Sequence, residues 1–170
     1  MLKFFAFMLV SCLSSFMVYT AENIKIEEQK ESTVIEEKIN DELMTLEIPK
    51  ISFKGTIYKK ESKKNNIDQN IIIMNESDMP DKDGGILIIG GHSGYGKYAY
   101  FKDLNQLQID DIVYIYYNNQ RYEYKVVEYH LDSKDGSISI NNINKKNKLF
   151  LYTCNPNDKN NYLVYDCERI

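Results

Sequence analysis

The sequence of 170 residues contains no tryptophan, only three prolines and eight glycines. The low proline count excludes a collagen-like or proline-rich chain, and 43% hydrophobic residues exclude a disordered one. Lysine and arginine number 21 against 25 acidic residues, so the net charge of −4 gives no support for a nucleic-acid-binding surface. The length allows one domain of ordinary size with a short appendage.

Cysteine and histidine are also scarce, with three copies of the first and two of the second. Because Cys12 lies in an apolar run, at most one disulfide could form in the rest of the chain, and a disulfide-rich scaffold is excluded. The sequence has neither a CxxC motif nor a Cys/His cluster at zinc spacing. Acidic residues 78–83 and 132–135 lack the spacing of a defined calcium loop. We therefore expect no cofactor and no metal ion.

Residues 1–21 contain Lys3 followed by an uncharged apolar run, and their length approaches the ~20 residues that cross a bilayer. We expect a single-pass membrane anchor with the rest of the chain outside the cell. A cleaved signal peptide ending near Ala21 and a lipoprotein signal at Cys12 are the alternatives. All three readings export the remainder of the chain.

Residues 22–43 are acidic and polar, and we interpret them as a stalk between the membrane and a domain. Residues 1–44 hold four lysines and eight acidic residues, which accounts for the whole net charge. The remaining residues hold 17 charges of each sign. A balanced domain is expected to recognise its ligand in a local groove rather than through a global field.

Residues 44–170 alternate short β-rich runs with turn residues, which predicts an all-β domain. Asn118-Asn119 between two runs is a hairpin signal, and residues 101–107 predict one or two helical turns. Eight or nine strands in about 125 residues favour a closed barrel or a sandwich. The predicted strands are residues 46–51, 56–58, 70–74, 86–90, 112–117, 121–129, 137–140, 149–153 and 162–167.

Three residues carry chemistry that this background does not explain. His92 lies in the glycine-flanked turn 90–94, where the backbone can turn sharply and leave the imidazole exposed. Cys154 ends an apolar strand just before Pro156, a position from which a thiol can reach solvent as a nucleophile must. Arg169, one of only two arginines, lies near the end of the next strand and offers a planar, bidentate cation.

In this order and spacing the chain resembles the sortase family, the cysteine transpeptidases of Gram-positive cell surfaces, over roughly residues 44–170. The resemblance implies a closed eight-stranded β-barrel with short helices. It favours class A or class D, since the segment from His130 to Lys148 is too short for class B and no second apolar span follows, as class C would have. The matching segments are LEIPKISFKGTIYK (46–59), GGILIIGGHSG (84–94), LYTC (151–154) and YLVYDCER (162–169).

The resemblance also implies a mechanism. Cys154, as a thiolate, attacks the carbonyl of an LPxTG-like sorting-signal peptide and forms a thioacyl enzyme. His92 protonates the leaving amine and later deprotonates the incoming one. Arg169 holds the peptide and stabilises the oxyanion as charge develops on it. The acceptor is an amine from a cell-wall precursor or from another protein.

Two other functions remain open from the sequence. A surface-anchored binding protein would have Cys154 and Cys167 in a disulfide, which needs Cα atoms within ~7 Å of each other. An L,D-transpeptidase would gather His, Gly, Cys and Arg into one compact motif, whereas a loop and a strand separate Cys154 from Arg169 here. We interpret Arg121, His130 and Cys167 as residues without a catalytic role.

Overall fold

The computed structural model describes residues 22–32, 41–135, 140 and 147–170. The chain divides into two units, Met1–Asn40 and Asp41–Ile170, and residues 22–32 of the first unit form a helix. Within the described part of the chain, no helix has both the length and the apolar character that a bilayer crossing requires. The expected anchor at residues 1–21 lies outside the described residues.

Eight strands form a single sheet in the second unit, and they curl into a nearly closed barrel. The strands are β1 (Glu42–Ile48), β2 (Phe53–Tyr58), β3 (Ile72–Ile73), β4 (Ile86–Gly90), β5 (Ile112–Tyr117), β6 (Gln120–Ser133), β7 (Lys148–Cys154) and β8 (Asn161–Arg169). Their order across the sheet is β2-β1-β5-β6-β8-β7-β4-β3, and β2 contacts β3 without ladder pairing. Among the described strands only β4 and β7 pair in parallel. The all-β barrel expected from the sequence is confirmed.

The alternation of side chains along β7 sorts them between two apolar clusters. Leu149 and Leu151 lie in the main core, while Phe150 packs on the opposite face in a smaller cluster with Ile88 and Val164. β4 contributes to both clusters, so four of its five residues are buried. A strand covered on both faces needs a nearly continuous apolar run, which the sequence ILIIG supplies.

Several element bounds differ from the prediction for local reasons. The first strand ends at Ile48 because Pro49 starts a 3₁₀ turn, Pro49–Ile51, and cannot donate to a ladder. β3 has only two residues, and the side chain of Asn65 exchanges two hydrogen bonds with the backbone of Ile73, at 2.9 and 3.1 Å. The Asn65 side chain thus gives the backbone of Ile73 the hydrogen-bond partners that a neighbouring strand would otherwise have supplied.

The remaining differences concern β6 and two predicted segments. β6 runs through Ser133, beyond the predicted end at residue 129, with a register shift between Val126 and Glu128. The helical signal at residues 101–107 corresponds to one 3₁₀ turn, Leu104–Gln106. The strand predicted at residues 137–140 falls outside the described residues, except for Ile140, which packs against the smaller apolar cluster.

Candidate active site

The parallel pairing of β4 and β7 sets the position of the predicted nucleophile relative to the predicted acid–base residue. The register aligns Gly90 with Tyr152, and the N–H of Gly91 donates to the carbonyl of Tyr152 at 3.2 Å, just beyond the end of β4. Two residues past Gly90 and Tyr152 are His92 and Cys154. Because paired strands lie about 4.8 Å apart, His92 and Cys154 occupy neighbouring backbone positions.

Two hydroxyl groups tie the His92 turn to the end of β7. The buried Thr153 donates to the carbonyl of Gly91 at 2.7 Å, and Ser93 donates to the carbonyl of Cys154 at 2.6 Å. The ring of Tyr152 lies where a side chain of residue 90 would stand: a Cβ on Gly90 would be 2.3 Å from a ring carbon. The sequence suggests a sharp turn as the role of these glycines, whereas Gly90 makes room for the Tyr152 ring.

The thiol of Cys154 is half-buried and free, and it lies next to a cation that the sequence did not point to. The Nζ atom of Lys134 is 3.2 Å from its Sγ atom. Lys134 follows the last residue of β6, and its N–H donates to the carbonyl of Asn160 at 2.9 Å. Its ammonium group lies over the ring of Tyr162, 5.3 Å from the centroid, and Tyr162 is the residue that β8 pairs with Cys154.

His92 is partly exposed, and its backbone is fixed by the N–H of Phe101, which donates to the His92 carbonyl at 2.9 Å. The imidazole Nε2 atom lies 3.5 Å from a carboxylate oxygen of Asp68. The Asp68 side chain is 81% exposed, so this pair contributes little to stability. The arrangement leaves the imidazole open to solvent, where a peptide can reach it.

The structure does not bring Arg169 to Cys154, which corrects the expectation that the guanidinium lies at the site. β7 and β8 are antiparallel, with Cys154 opposite Tyr162, and β8 then runs on for seven residues to Arg169. At about 3.3 Å per residue this separates the two positions along the strand by roughly 23 Å. There the guanidinium donates to the carbonyl of Pro80 at 2.7 Å and lies over the ring of Tyr122.

Cys167 lies away from Cys154, and both thiols are free. The register places Cys167 opposite Leu149, five residues before Cys154 on β7, which is too far for a disulfide. The Cys154–Cys167 bridge of the binding-protein alternative is therefore wrong. Burial raises the pKa of the Cys167 thiol well above its usual range, so this thiol stays protonated.

The two other residues to which the sequence assigned no catalytic role have partners of their own. Arg121 pairs with Glu123 at 3.2 Å on the exposed side of the β5–β6 hairpin. His130 is less exposed than expected, and its Nε2 atom lies 3.4 Å from a carboxylate oxygen of the buried Asp132. An alternating strand pattern alone gave no sign of this pair.

A cleft of about 810 Å³ opens beside the Cys154 thiol, and its lining includes Ser93, Lys134 and the buried Asn155. A second groove of about 660 Å³ shares Asn155 with it, and its lining mixes polar side chains with apolar ones such as the exposed Leu131. Together these adjoining hollows offer an extended ligand a continuous surface, with the ammonium group of Lys134 next to the thiol.

The Sortase domain family model matches residues 46–168. Sortase C1 from Streptococcus agalactiae is 25% identical, with a TM-score of 0.68 over 76% of this chain and 68% of that one. Sortase A from Corynebacterium diphtheriae is 20% identical, with the same TM-score over 77% of this chain and 61% of that one. Sortase C-1 from Actinomyces oris is 21% identical over 76% and 73%, again with a TM-score of 0.68. No curated protein matches the sequence.

Proposed function

This chain belongs to the sortase family of cysteine transpeptidases, and we propose that Cys154 and His92 carry out its reaction. The observation that supports the proposal is the parallel register of β4 and β7, which makes these two residues neighbours two positions past the paired Gly90 and Tyr152, with Cys154 in the lining of a cleft. A nucleophile needs an acid–base group within reach, and the strand-end position leaves the thiol accessible from the cleft. Arg169, about seven residues along β8 from this point, has no part in the proposed chemistry.

The reaction has two acyl-transfer steps. In the first, the Cys154 sulfur bonds to the carbonyl carbon of the peptide, the C–N bond breaks, and His92 gives a proton to the leaving amine. In the second, an acceptor amine attacks the thioester, His92 takes its proton, and the C–S bond breaks. His92 regains in the second step the proton that it gave up in the first, so the enzyme returns to its starting state.

Membership of the sortase family implies a sorting-signal peptide as the acyl donor and an amine as the acceptor. The donor we propose is an LPxTG-like motif, and the acceptor is an amine of a cell-wall precursor or of another protein. Support for an extended peptide comes from the two adjoining hollows, which meet at Asn155 beside the thiol. The similar structures include sortases named A and C, so the expected class A or D stays a prediction.

Sortases act at the cell surface. We propose that residues 1–21 anchor this one as a single membrane span, that residues 22–43 form a stalk, and that the catalytic domain lies outside the cell. The support is the uncharged run that follows Lys3 and the acidic composition of the segment after it.

The proposal is tested by incubating the protein with a library of LPxTG-like peptides and measuring the mass of the thioacyl adduct. We expect an adduct on Cys154 in the wild type and none in Cys154→Ala. His92→Ala should lose turnover, while the control His130→Ala keeps it. Product formed by Cys154→Ala at the wild-type rate would remove Cys154 from the role of nucleophile.

A further inference from the structure

We propose that Lys134 is a catalytic residue, whose ammonium group stabilises the Cys154 thiolate and then the oxyanion of the acyl-transfer step. The inference rests on the proposed role of Cys154 as nucleophile. It assigns to a lysine at the end of β6 the cationic function that the sequence had suggested for Arg169. The observation behind it is the 3.2 Å distance between Nζ of Lys134 and Sγ of Cys154.

The backbone of three strands determines this contact. β6 pairs with β8 so that Asp132 faces Tyr162, and the N–H of Lys134 continues the pairing by donating to Asn160. β7 pairs with β8 so that Cys154 also faces Tyr162, from the other side. Lys134 and Cys154 therefore flank the same segment of β8, and a lysine side chain is long enough to reach across it.

An aromatic platform holds the ammonium group in place. Nζ of Lys134 lies over the ring of Tyr162 at 5.3 Å, and that ring makes an edge contact with Tyr152 at 5.8 Å between centroids. Both tyrosines pack against the apolar cluster on the outer face of β7 and β8. A flexible lysine stem is thereby positioned before substrate arrives, which reduces the entropy lost when the ammonium acts.

In the proposed reaction negative charge develops first on the Cys154 sulfur and then on the peptide oxygen, and a cation beside the sulfur would stabilise both. A positive charge in contact with sulfur favours the thiolate, the form that attacks a carbonyl. When the C–S bond forms, the peptide oxygen acquires negative charge one bond away from the attacked carbon. Nζ carries three N–H donors, so one can stay with sulfur while another turns to that oxygen.

The first two residues of β8, which flank Cys154, supply no cation. Asn161 and Tyr162 stand there, and the side-chain amide of Asn161 donates to Asp158 at 2.5 Å. Arg169 donates to Pro80 near the other end of the strand. Other charged or titratable groups near the contact are His92 in the turn after β4, Asp132 and His130 on β6, Tyr152 on β7, Tyr162 on β8, Asp158 and Lys159 in the β7–β8 loop, and Tyr95, Lys102 and Asp103 across the cleft.

The test compares Lys134→Met and Lys134→Arg with a control, Lys125→Met, which removes a partly exposed lysine from the first half of β6, where its ammonium pairs with Asp110 at 3.2 Å. Two quantities are measured: kcat/KM on a sorting-signal peptide that the wild type turns over, and the rate of Cys154 alkylation by iodoacetamide against pH. We expect Lys134→Met to lose ~10²–10³ in kcat/KM, as for removal of one oxyanion donor. Its alkylation curve should move to higher pH. Lys134→Arg should keep the wild-type curve and recover most of the activity, and Lys125→Met should match the wild type in both.

The outcomes separate this inference from the proposed function. If Cys154→Ala is inactive while Lys134→Met keeps the wild-type kcat/KM, the nucleophile stands and the role of Lys134 is overturned. The role is equally overturned if Lys134→Met loses activity with an unmoved alkylation curve and Lys134→Arg fails to restore it, because the side chain then serves only as packing. A fully active Cys154→Ala overturns both proposals.

Discussion

Two cysteines, thirteen residues apart, lie in contrasting surroundings. Cys154 is the last residue of β7, half-buried, with an ammonium group 3.2 Å from its sulfur. Cys167 lies in the main core opposite Leu149 and is fully buried. Charging a thiol without solvent contact costs much free energy, so burial raises the pKa of Cys167 despite the opposing effect of Lys148.

In the native protein a soluble alkylating reagent should therefore modify Cys154 and leave Cys167 unmodified between about pH 6 and 9, a range around the ordinary thiol value. After denaturation both should react. Peptide mapping by mass spectrometry after timed alkylation measures each site separately. Equal native rates at the two cysteines would show that Cys167 is not enclosed by the core.

A functional residue can be predicted from the sequence when the pattern that marks it lies within a few neighbouring residues. His92 and Cys154 stand out because a glycine-flanked turn, and an apolar strand that ends two residues before a proline, can each be recognised within a few residues of sequence. The place of Arg169 and the contact of Lys134 depend on which residues face each other across strands. A strand sequence leaves that register open until its partners are known, so nothing in the sequence distinguishes Lys134 from the acidic residues on either side of it.

At the scale of elements, the site depends on the junction between β4 and β7. The hydroxyl of Thr153 is buried within it and donates to the carbonyl of Gly91, the residue before His92. A buried hydroxyl-to-carbonyl bond contributes about 1 kcal/mol, and leaving one partner without the other costs about 1–3 kcal/mol. Thr153 thus supports His92 through the backbone rather than through contact with substrate.

Replacing Thr153 by Val keeps the shape of the side chain and removes the donor. We expect Thr153→Val to lower the free energy of unfolding by about 1–2 kcal/mol and to lower kcat on a sorting-signal peptide, because the His92 turn loses one of its ties to β7. Thr153→Ser retains the hydroxyl and should keep most of the activity. Urea unfolding and steady-state kinetics measure the two effects. An unfolding free energy and a kcat for Thr153→Val that equal those of the wild type would show that this hydrogen bond contributes to neither stability nor activity.

At the scale of the whole catalytic domain, the proposed catalytic groups and a set of stabilising contacts lie at opposite ends of β7 and β8. Cys154 and Lys134 lie at one end. At the other end, the guanidinium of Arg169 joins β8 to the loop that contains Pro80, and Lys148, at the start of β7, forms an ion pair with Asp166 of β8. Burial raises the pKa of Asp166 against the opposing effect of Lys148, as expected for a carboxylate with little solvent contact.

Arg169→Ala should accordingly affect stability more than catalysis. Loss of a charged hydrogen bond costs about 1.5–3 kcal/mol, and we expect the free energy of unfolding to fall by that order. The kcat/KM of the folded enzyme should stay within a few-fold of the wild type, and the exposed Arg121→Ala should change neither quantity appreciably. A loss of activity of ~10² or more at unchanged stability would place Arg169 in the reaction and contradict the strand register.

The barrel itself was predictable to the level of its class. Alternating runs and turn residues identified most strands, because side chains that point to opposite faces leave a local pattern. The order of the strands and the near-closure by β2 and β3 were not readable from the runs, since both arise from contacts between distant segments. The family resemblance supplied the eight-stranded closed form that the runs alone left open against a sandwich.

The β4–β7 junction also determines when the enzyme becomes active during folding. It joins segments about 60 residues apart in the chain, whereas β7 and β8 meet across a short loop. Contacts between distant segments form slowly, because the intervening loop must lose its conformational entropy before the contact can stabilise the fold. The β7–β8 hairpin can therefore form while His92 is still far from Cys154. On the proposed mechanism, a newly made chain carries Cys154 without its acid–base partner until β4 and β7 have paired.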